Sequence, residues 1–213
     1  PPSNTASMAN VGATIKLPMH TRLVADLVFG QYKQNEQFFP FATSTALTPP
    51  VATVVAYTTA SLPKQSLGGK IANSSMAFSF TTRPVDPLQI NVRFRGYDAD
   101  NQTPRVTFAN GLAPRDYTWT ATPARITAPY SIKTARFDAT AGYDLGQVTL
   151  EAGFRHTKIE RNYRETGDTT EKAGSVAAVL HANQMLSVRA IYEKATRSFD
   201  DLELGRSEDG TLV

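Results

Sequence analysis

The chain has 213 residues, of which 41% are hydrophobic and 19% are charged, and its formal net charge is +3. The near balance of 22 basic and 19 acidic residues gives no indication of a nucleic-acid partner. The absence of cysteine excludes disulfide scaffolds, thiolate metal sites, iron–sulfur clusters and covalent attachment of c-type haem. No run of about 18 apolar residues occurs, so no membrane-spanning helix is expected.

The hydrophobic pattern has a period of two in about eight successive segments. This period predicts β-strands, because alternate side chains of a strand point to opposite faces. In chain order the apolar positions are Val11, Ala13, Ile15; Leu23, Ala25, Leu27, Phe29; Met76, Phe78, Phe80; Leu88, Ile90, Val92, Phe94; Ala135, Phe137, Ala139, Ala141, Tyr143; Val148, Leu150, Ala152, Phe154; Val176, Ala178, Leu180; and Leu186, Val188, Ala190, Tyr192. We therefore predict an all-β chain with one apolar and one polar side to each strand.

Short turns and long polar connections alternate between these segments. The short turns are residues 17–20, 83–87, 144–146 and 183–184, and the long connections cover roughly residues 34–67, 98–130 and 159–170. This alternation is typical of transmembrane β-barrels, which have short periplasmic turns, longer extracellular loops and tilted strands of about 9–11 residues. We predict an antiparallel up-and-down barrel, or a partial barrel wall, of about eight strands in the bacterial outer membrane. The alternative from another class is a soluble β-sandwich binding module.

Aromatic residues near the predicted strand ends fit the girdles that such barrels place at the membrane interfaces. They are Phe29, Tyr32, Tyr97, Tyr130, Tyr143 and Tyr192.

The polar sides of the strands carry charges of both signs: Arg22, Asp26, Arg93, Arg95, Arg136, Asp138, Glu151, Arg155, Arg189 and Glu193. They could fill a small eight-stranded barrel as a salt-bridged plug, or they could line a wide lumen. The chain begins without Met or an export signal and ends in a polar stretch. These ends favour a fragment, so residues 1–213 are expected to form a single segment of a larger barrel.

One stretch of the sequence resembles a signature of the MtrB/PioB family of outer-membrane barrels. Residues 92–96 lead into Tyr97, Asp98, Asp100, Asn101, Thr103 and Pro104, which is similar to an arginine- and tyrosine-containing strand followed by a D-x-x-N-x-T-P-like loop. Other similar pieces occur at residues 30–41, 62–70, 142–143, 160–161 and 187–197. Together the pieces extend over roughly residues 9–203.

The resemblance implies a large barrel that sheathes a periplasmic multihaem (decahaem) c-type cytochrome, with an outer-surface cytochrome as a further partner. The chain would then be no enzyme and would bind no cofactor itself, since the partner carries the haem. Its apolar sides would contact the lipid bilayer. The residues expected to contact the inserted cytochrome are Arg93, Arg95, Arg136, Asp138, Glu151, Arg155 and Arg189. A general porin or a small eight-stranded barrel remains the alternative within the membrane class.

Asp98, Asp100 and Asn101 place several oxygen donors close together, as calcium sites do. The stretch lacks the glycine and the distal glutamate of an EF-hand loop, and an Asx turn at a strand end is the competing interpretation. No motif for a catalytic triad, a phosphate-binding loop or a zinc protease occurs in the sequence, so no catalytic residue is predicted.

Overall fold

The structure is a computed structural model. It describes residues 3–44, 54–60, 62–109, 112–113, 124–164, 167–182 and 185–200. Within these ranges no helix is long and apolar enough to cross a membrane. The strands, in chain order, are β1 Thr5–Leu17, β2 Thr21–Gln34, β3 Phe41–Ser44, β4 Val54–Thr58, β5 Gly69–Val85, β6 Leu88–Asn101, β7 Thr107–Phe108, β8 Leu112–Ala113, β9 Arg125–Ile126, β10 Ile132–Asp144, β11 Val148–Arg161, β12 Asp168–His181 and β13 Ser187–Phe199.

The eight long strands form one antiparallel sheet in the order β1-β2-β5-β6-β10-β11-β12-β13. Each long strand therefore pairs with the long strands before and after it in the chain, which is an up-and-down arrangement. Strands β1 and β13 are the two edges, and every one of their residues is exposed. The predicted all-β, up-and-down fold is confirmed, and in the described part of the chain it takes the form of an open wall.

The connections alternate between the two ends of the sheet. At one end lie the short turns, where Val85 pairs with Leu88 and Leu17 pairs with Thr21. In the turn after β10, Gly146 has a φ of 88° and its N–H donates to the Asp144 carboxylate at 2.8 Å. The opposite end carries the long connections, so we call the two ends the short-turn end and the long-loop end. The predicted turn at residues 183–184 lies outside the described residues.

The long strands have 13 to 17 residues, so the predicted length of about 9–11 is too short. The additional residues lie mostly at the long-loop end, where the pairing continues past the apolar positions, as in Lys133 with Glu160. For the same reason the predicted connection at residues 98–130 starts too early, and the predicted connection at residues 159–170 is too long. Strand β6 continues to Asn101, and strands β11 and β12 occupy half of residues 159–170.

Paired residues of neighbouring strands lie on the same face of the sheet, and the pairing brings the apolar positions together. Phe94 lies between Phe78 and Phe137. Val176 likewise lies between Ala152 and Tyr192. We call this side the apolar face and the other side the polar face. No second sheet covers the apolar face within the described residues, so the β-sandwich alternative does not describe this architecture.

The band of apolar residues runs diagonally across the sheet. On β1 the band is centred at Ala13. When the strand pairing is followed across all eight strands, the residue of β13 that is level with Ala13 is Thr196. On β13 the band is instead centred at Ala190, six residues away. At the usual spacings of a sheet this is a shift of about 20 Å over a width of about 34 Å. A planar apolar layer would therefore require the strands to tilt by about 30°.

The buried apolar residues lie mainly in the connections at the long-loop end. Leu62 is 7% exposed, Val106 is 2% exposed and Leu112 is 9% exposed. Two small sheets, β4-β3-β8 and β7-β9, are built in the same connections. The Phe108 ring packs against Phe38 and Phe41, with centroid distances of 5.9 and 5.5 Å. These contacts tie the connection after β2 to the connection after β6.

Candidate functional site: the polar face

The residues predicted to contact a partner lie on one face of the sheet. Arg93, Asp138 and Arg155 are successive partners on β6, β10 and β11, and Arg95 is paired with Arg136. Glu151 is paired with Gly142, and Arg189 is paired with Val179. The same parity of position puts all of them on the polar face. Whether they contact a partner stays a prediction.

Ion pairs connect the polar side chains of β10 to β13. The Arg136 guanidinium donates two hydrogen bonds to Asp138, at 2.8 and 2.9 Å. Arg155 lies between two carboxylates, 3.7 Å from Asp138 and 3.4 Å from Glu193. These contacts neutralise much of the charge in this half of the face.

Two further pairs extend this network. Arg189 donates to Glu151 at 2.6 Å, and Arg197 donates to Glu171 at 2.7 Å. The two arginine side chains are 55% and 67% exposed, so each pair is open to solvent on the surface of the isolated sheet. Exposed ion pairs of this kind contribute little to stability and mainly orient the side chains.

The arginines on β2 and β6 are different. Arg22, Arg93 and Arg95 are exposed, and within the described residues none of them has a carboxylate within 4 Å. Arg95 is opposite Arg136, whose charge is already paired with Asp138. This half of the polar face therefore presents several arginines that no carboxylate contacts directly, with Asp26 as the acidic residue of β2 on the same face.

A cavity of about 510 Å³ lies on the polar face toward the short-turn end. Small residues line its floor, and the Glu151–Arg189 ion pair lies at its side. A Cβ at Gly153 would lie 2.6 Å from the Ser175 hydroxyl oxygen, so the backbone here is closely approached by its neighbour. The residues that line the floor are Thr140, Gly142, Gly153, Ser175 and Ala177.

The family-like motif was predicted as a loop, but most of it belongs to β6. Tyr97, Asp98, Asp100 and Asn101 are inside the strand, and only Thr103 and Pro104 follow it. The ladder continues because both neighbouring strands are also long: Asp98 pairs with Ser74 on β5 and with Lys133 on β10.

The strand also separates the oxygen donors of this motif. By parity Asp98 and Asp100 lie on the apolar face, beyond its apolar band, whereas Tyr97 and Asn101 lie on the polar face. The Asn101 carboxamide oxygen accepts a hydrogen bond from the Thr103 N–H at 3.1 Å, which is the Asx turn of the competing interpretation. Within the described residues no group of three acidic or histidine side chains could hold a metal ion.

The predicted aromatic girdle is correct for three residues. Phe29 and Tyr192 lie on the apolar face near the long-loop boundary of the band, and Tyr143 lies on that face near the short turns. Tyr32 and Tyr97 are on the polar face, because each is an odd number of residues from the nearest apolar position. Tyr130 precedes β10 and lies outside the strands.

Tyr130 instead belongs to a cluster at the long-loop end that sequence reasoning missed. Its ring meets Tyr163 edge-on at 6.2 Å, and the Arg164 guanidinium lies 4.7 Å from the Tyr130 ring. Asn162 donates to the Pro129 carbonyl oxygen at 3.2 Å. The cluster joins the connection before β10 to the loop after β11. No periodic signal marks these residues, because they lie in loops.

The open up-and-down sheet, its uncovered apolar band and its polar second face define a wall segment of an outer-membrane β-barrel. The family model described as "Putative outer membrane beta-barrel porin, MtrB/PioB" matches residues 1–210. The chain therefore belongs to the MtrB/PioB family and is located in the bacterial outer membrane, which confirms the resemblance seen in the sequence.

The solved structures include two similar forms of OmpT, an outer-membrane protein of Vibrio cholerae. The in-vitro folded trimer form has 11% identity and a TM-score of 0.48 over 98% of this chain. A mutant of OmpT that lacks loop L8 has 12% identity and a TM-score of 0.47 over 92% of this chain. The chain spans half the length of each of these two chains. No curated protein matches the chain.

Proposed function

We propose that the chain forms part of a barrel wall that houses a periplasmic multihaem c-type cytochrome and thereby supports electron transfer across the outer membrane. In this proposal the wall is neither an enzyme nor a haem protein. Electrons move through the haems of the partner, and an outer-surface cytochrome can dock at the long-loop end. The wall keeps the partner out of the lipid.

The observation that carries this proposal is the group of directly unpaired arginines, Arg22, Arg93 and Arg95. These exposed guanidinium groups lack a carboxylate within 4 Å in the described part of the chain, although β10 to β13 beside them are rich in ion pairs. Arginine binds carboxylates through two parallel hydrogen bonds. A multihaem cytochrome offers such carboxylates in its haem propionates and in acidic side chains, so its charge complements this half of the face.

The small residues of the polar face support the same proposal. A closed barrel of only eight strands has an interior that its own side chains fill. Here the floor of the polar-face cavity includes small residues such as Gly142 and Ala177, which leave space above the backbone. A partner protein could therefore approach the wall closely.

The two open edges of the sheet need partner strands if they lie in the membrane. A strand edge inside a membrane must be paired, because unsatisfied backbone groups are costly in lipid. Strands β1 and β13 have no neighbour on their outer sides within the described residues. We infer that additional strands pair with both edges and close a barrel larger than eight strands.

The test is affinity purification of the intact protein from outer membranes, followed by haem absorbance and mass spectrometry. We expect a multihaem cytochrome to be recovered with the wild-type protein. Arg93→Gln combined with Arg95→Gln should lower this recovery several-fold. Arg197→Gln combined with Glu171→Gln should leave it unchanged, since that control removes a pair that is already neutral.

The alternative is a general porin, which the description of the family as a porin favours. In that case the intact protein would be recovered without haem and would conduct ions in planar bilayers. Removal of Arg93 and Arg95 would then change the ion selectivity of the pore and would have no effect on any partner. That result would contradict the proposed function.

A further inference from the structure

Lysine and arginine are sorted onto opposite faces of the eight-stranded sheet. Apart from Lys16, the lysines of the long strands all lie on the apolar face: Lys33, Lys70, Lys133, Lys158, Lys172 and Lys194. The arginines of the same strands all lie on the polar face: Arg22, Arg83, Arg93, Arg95, Arg136, Arg155, Arg161, Arg189 and Arg197. Both residues carry one positive charge, so net charge does not explain this separation.

The lysines mark the long-loop boundary of the apolar band. On the apolar face of each of these strands, the lysine is the first ionised side chain beyond the apolar positions, as in Tyr192 followed by Lys194 on β13. The boundary is diagonal, like the band. When the strand pairing is followed across the sheet from β13 to β2, Lys194 is level with Leu23. The lysine on β2 is Lys33, so the boundary has shifted by ten residues along the strand between β13 and β2. At usual sheet spacings the boundary corresponds to a strand tilt of about 50°.

The strand tilts calculated from the apolar band and from the lysine boundary lie on either side of the tilt that is usual for outer-membrane barrels. The centre of the apolar band gives about 30° and the lysine boundary gives about 50°, whereas such strands tilt by about 35–45°. A wall tilted in this range brings the lysines close to one plane parallel to the membrane. That plane lies at the long-loop side of the lipid-contacting band, where the lipid headgroups begin.

Two of these six lysines face carboxylates of neighbouring strands. Lys133 lies directly opposite Asp98 on one side and Glu160 on the other. Lys158 contacts Glu160 and lies 3.3 Å from Asp168, so its charge is compensated. Lys33 and Lys70, by contrast, are directly opposite each other on β2 and β5. Like charges at opposite positions destabilise a sheet unless an anion lies between them.

The second uncompensated group is on β11 to β13. Lys172 pairs with His156 on one side, and Lys194 lies diagonally across from it on the other. In the part of the chain that the structure describes, neither lysine has a carboxylate within 4 Å. Two groups of basic side chains therefore lie at this boundary with no carboxylate within 4 Å among the described residues, on either side of β6, whose Asp98 and Asp100 lie on the same face.

We propose that Lys33, Lys70, Lys172 and Lys194 bind the phosphate groups of lipopolysaccharide, the phosphorylated glycolipid of the outer leaflet. The surface is continuous with the lipid-contacting band, and its charge complements the phosphates. Lysine suits this position because its flexible stem lies along apolar surface while its ammonium group reaches the headgroups. Arginine suits the polar face because its planar fork binds carboxylates.

The test compares variants of the intact protein extracted from outer membranes in mild detergent. Lys33, Lys70, Lys172 and Lys194 are replaced together by Gln, and a matched variant has Arg at the same four positions. A second control carries Lys16→Gln and Lys64→Gln, which lie on the polar face and in an exposed connection. Retained lipopolysaccharide per protein is measured by native mass spectrometry, on material whose far-ultraviolet circular dichroism shows a folded barrel.

The Gln variant should retain at least about fivefold less lipopolysaccharide, since each basic residue near a membrane surface changes binding by about that factor. The Arg variant and the second control should match the wild type. Equal retention by the Gln variant would overturn the proposal. Displacement of the lipid by inorganic phosphate alone would also overturn it, because the site would then bind free anions. If the full Gln variant does not fold, the separate pairs Lys33→Gln with Lys70→Gln and Lys172→Gln with Lys194→Gln give the same comparison.

Discussion

The two faces of the sheet share one backbone and one hydrogen-bonded ladder, yet they are built for different surroundings. On the apolar face Phe154 is 47% exposed and Val176 is 57% exposed, so the protein itself covers neither side chain. On the polar face Arg155 bridges Asp138 and Glu193. The comparison teaches that this sheet has no core of its own between its faces. Lipid provides the apolar environment on one side, and the fixed charges of the other side are suited to water or to a protein.

The largest expected effect comes from placing a charge on the apolar face near the middle of the band. Val92 is on that face and its neighbour Asn91 is on the polar face. Val92→Arg should destabilise the protein folded in lipid vesicles by about 2–4 kcal/mol, because an arginine at the bilayer midplane is poorly solvated.

Asn91→Arg is the matched control, since it adds the same side chain one residue away. It adds the charge on the aqueous face but removes the hydrogen bond that Asn91 accepts from the Thr81 hydroxyl at 3.1 Å, so it should destabilise the folded protein by about 1 kcal/mol, clearly less than Val92→Arg. Urea titration of the intact protein in vesicles measures both values. Similar losses for the two variants would remove the distinction between the faces.

A smaller effect is expected at the aromatic residues. Tyr192 lies on the apolar face at the long-loop boundary, and Tyr97 lies on the polar face. Tyr192→Ala should destabilise the folded protein by about 1–2 kcal/mol, because the aromatic ring that contacts lipid at the interface is removed. Tyr97→Ala should cost clearly less in the same titration. A larger loss of stability for Tyr97→Ala would mean that the polar face contacts the membrane, which would contradict the assignment of the faces.

The smallest effect concerns the ion pairs of the polar face. Arg189 and Glu151 are 2.6 Å apart, but their side chains are 55% and 39% exposed. A double-mutant cycle with Arg189→Ala and Glu151→Ala should give a coupling energy of about 0.2–1 kcal/mol. A coupling well above this range would mean that the pair is desolvated in the assembled protein.

The period of two was sufficient to predict the strands and their faces, because parity along a strand does not depend on the rest of the fold. Phe94 and Arg95 were assigned to opposite faces in this way, and the structure agrees. The prediction for Tyr97 was wrong because it rested on nearness to a strand end, whereas the odd number of residues between Tyr97 and Phe94 places the two side chains on opposite faces. Asp98 and Asp100 were misplaced because polar residues were taken to end the strand, whereas pairing with both neighbouring strands continues it.

Contacts between strands could not be predicted, because they depend on register. The Arg155–Glu193 contact joins residues 38 positions apart, and its register is set by the lengths of two connections. The cluster of Tyr130, Tyr163 and Arg164 depends on loop conformation, and Tyr163 has a φ of 52° that its residue type does not indicate. The sorting of lysine and arginine is present in the sequence, but it becomes visible only once each strand residue has a face.

The most direct test of the two-faced wall is a spin-label scan along β6 in the intact, membrane-inserted protein. The chain contains no cysteine, so a single cysteine can be introduced at each of residues 88–95 in turn and labelled as the only thiol of this chain. Collision with oxygen, which dissolves in lipid, should be highest at Leu88, Ile90, Val92 and Phe94, and low at the alternate positions. A profile without a period of two, or with its maxima at the polar positions, would contradict the account.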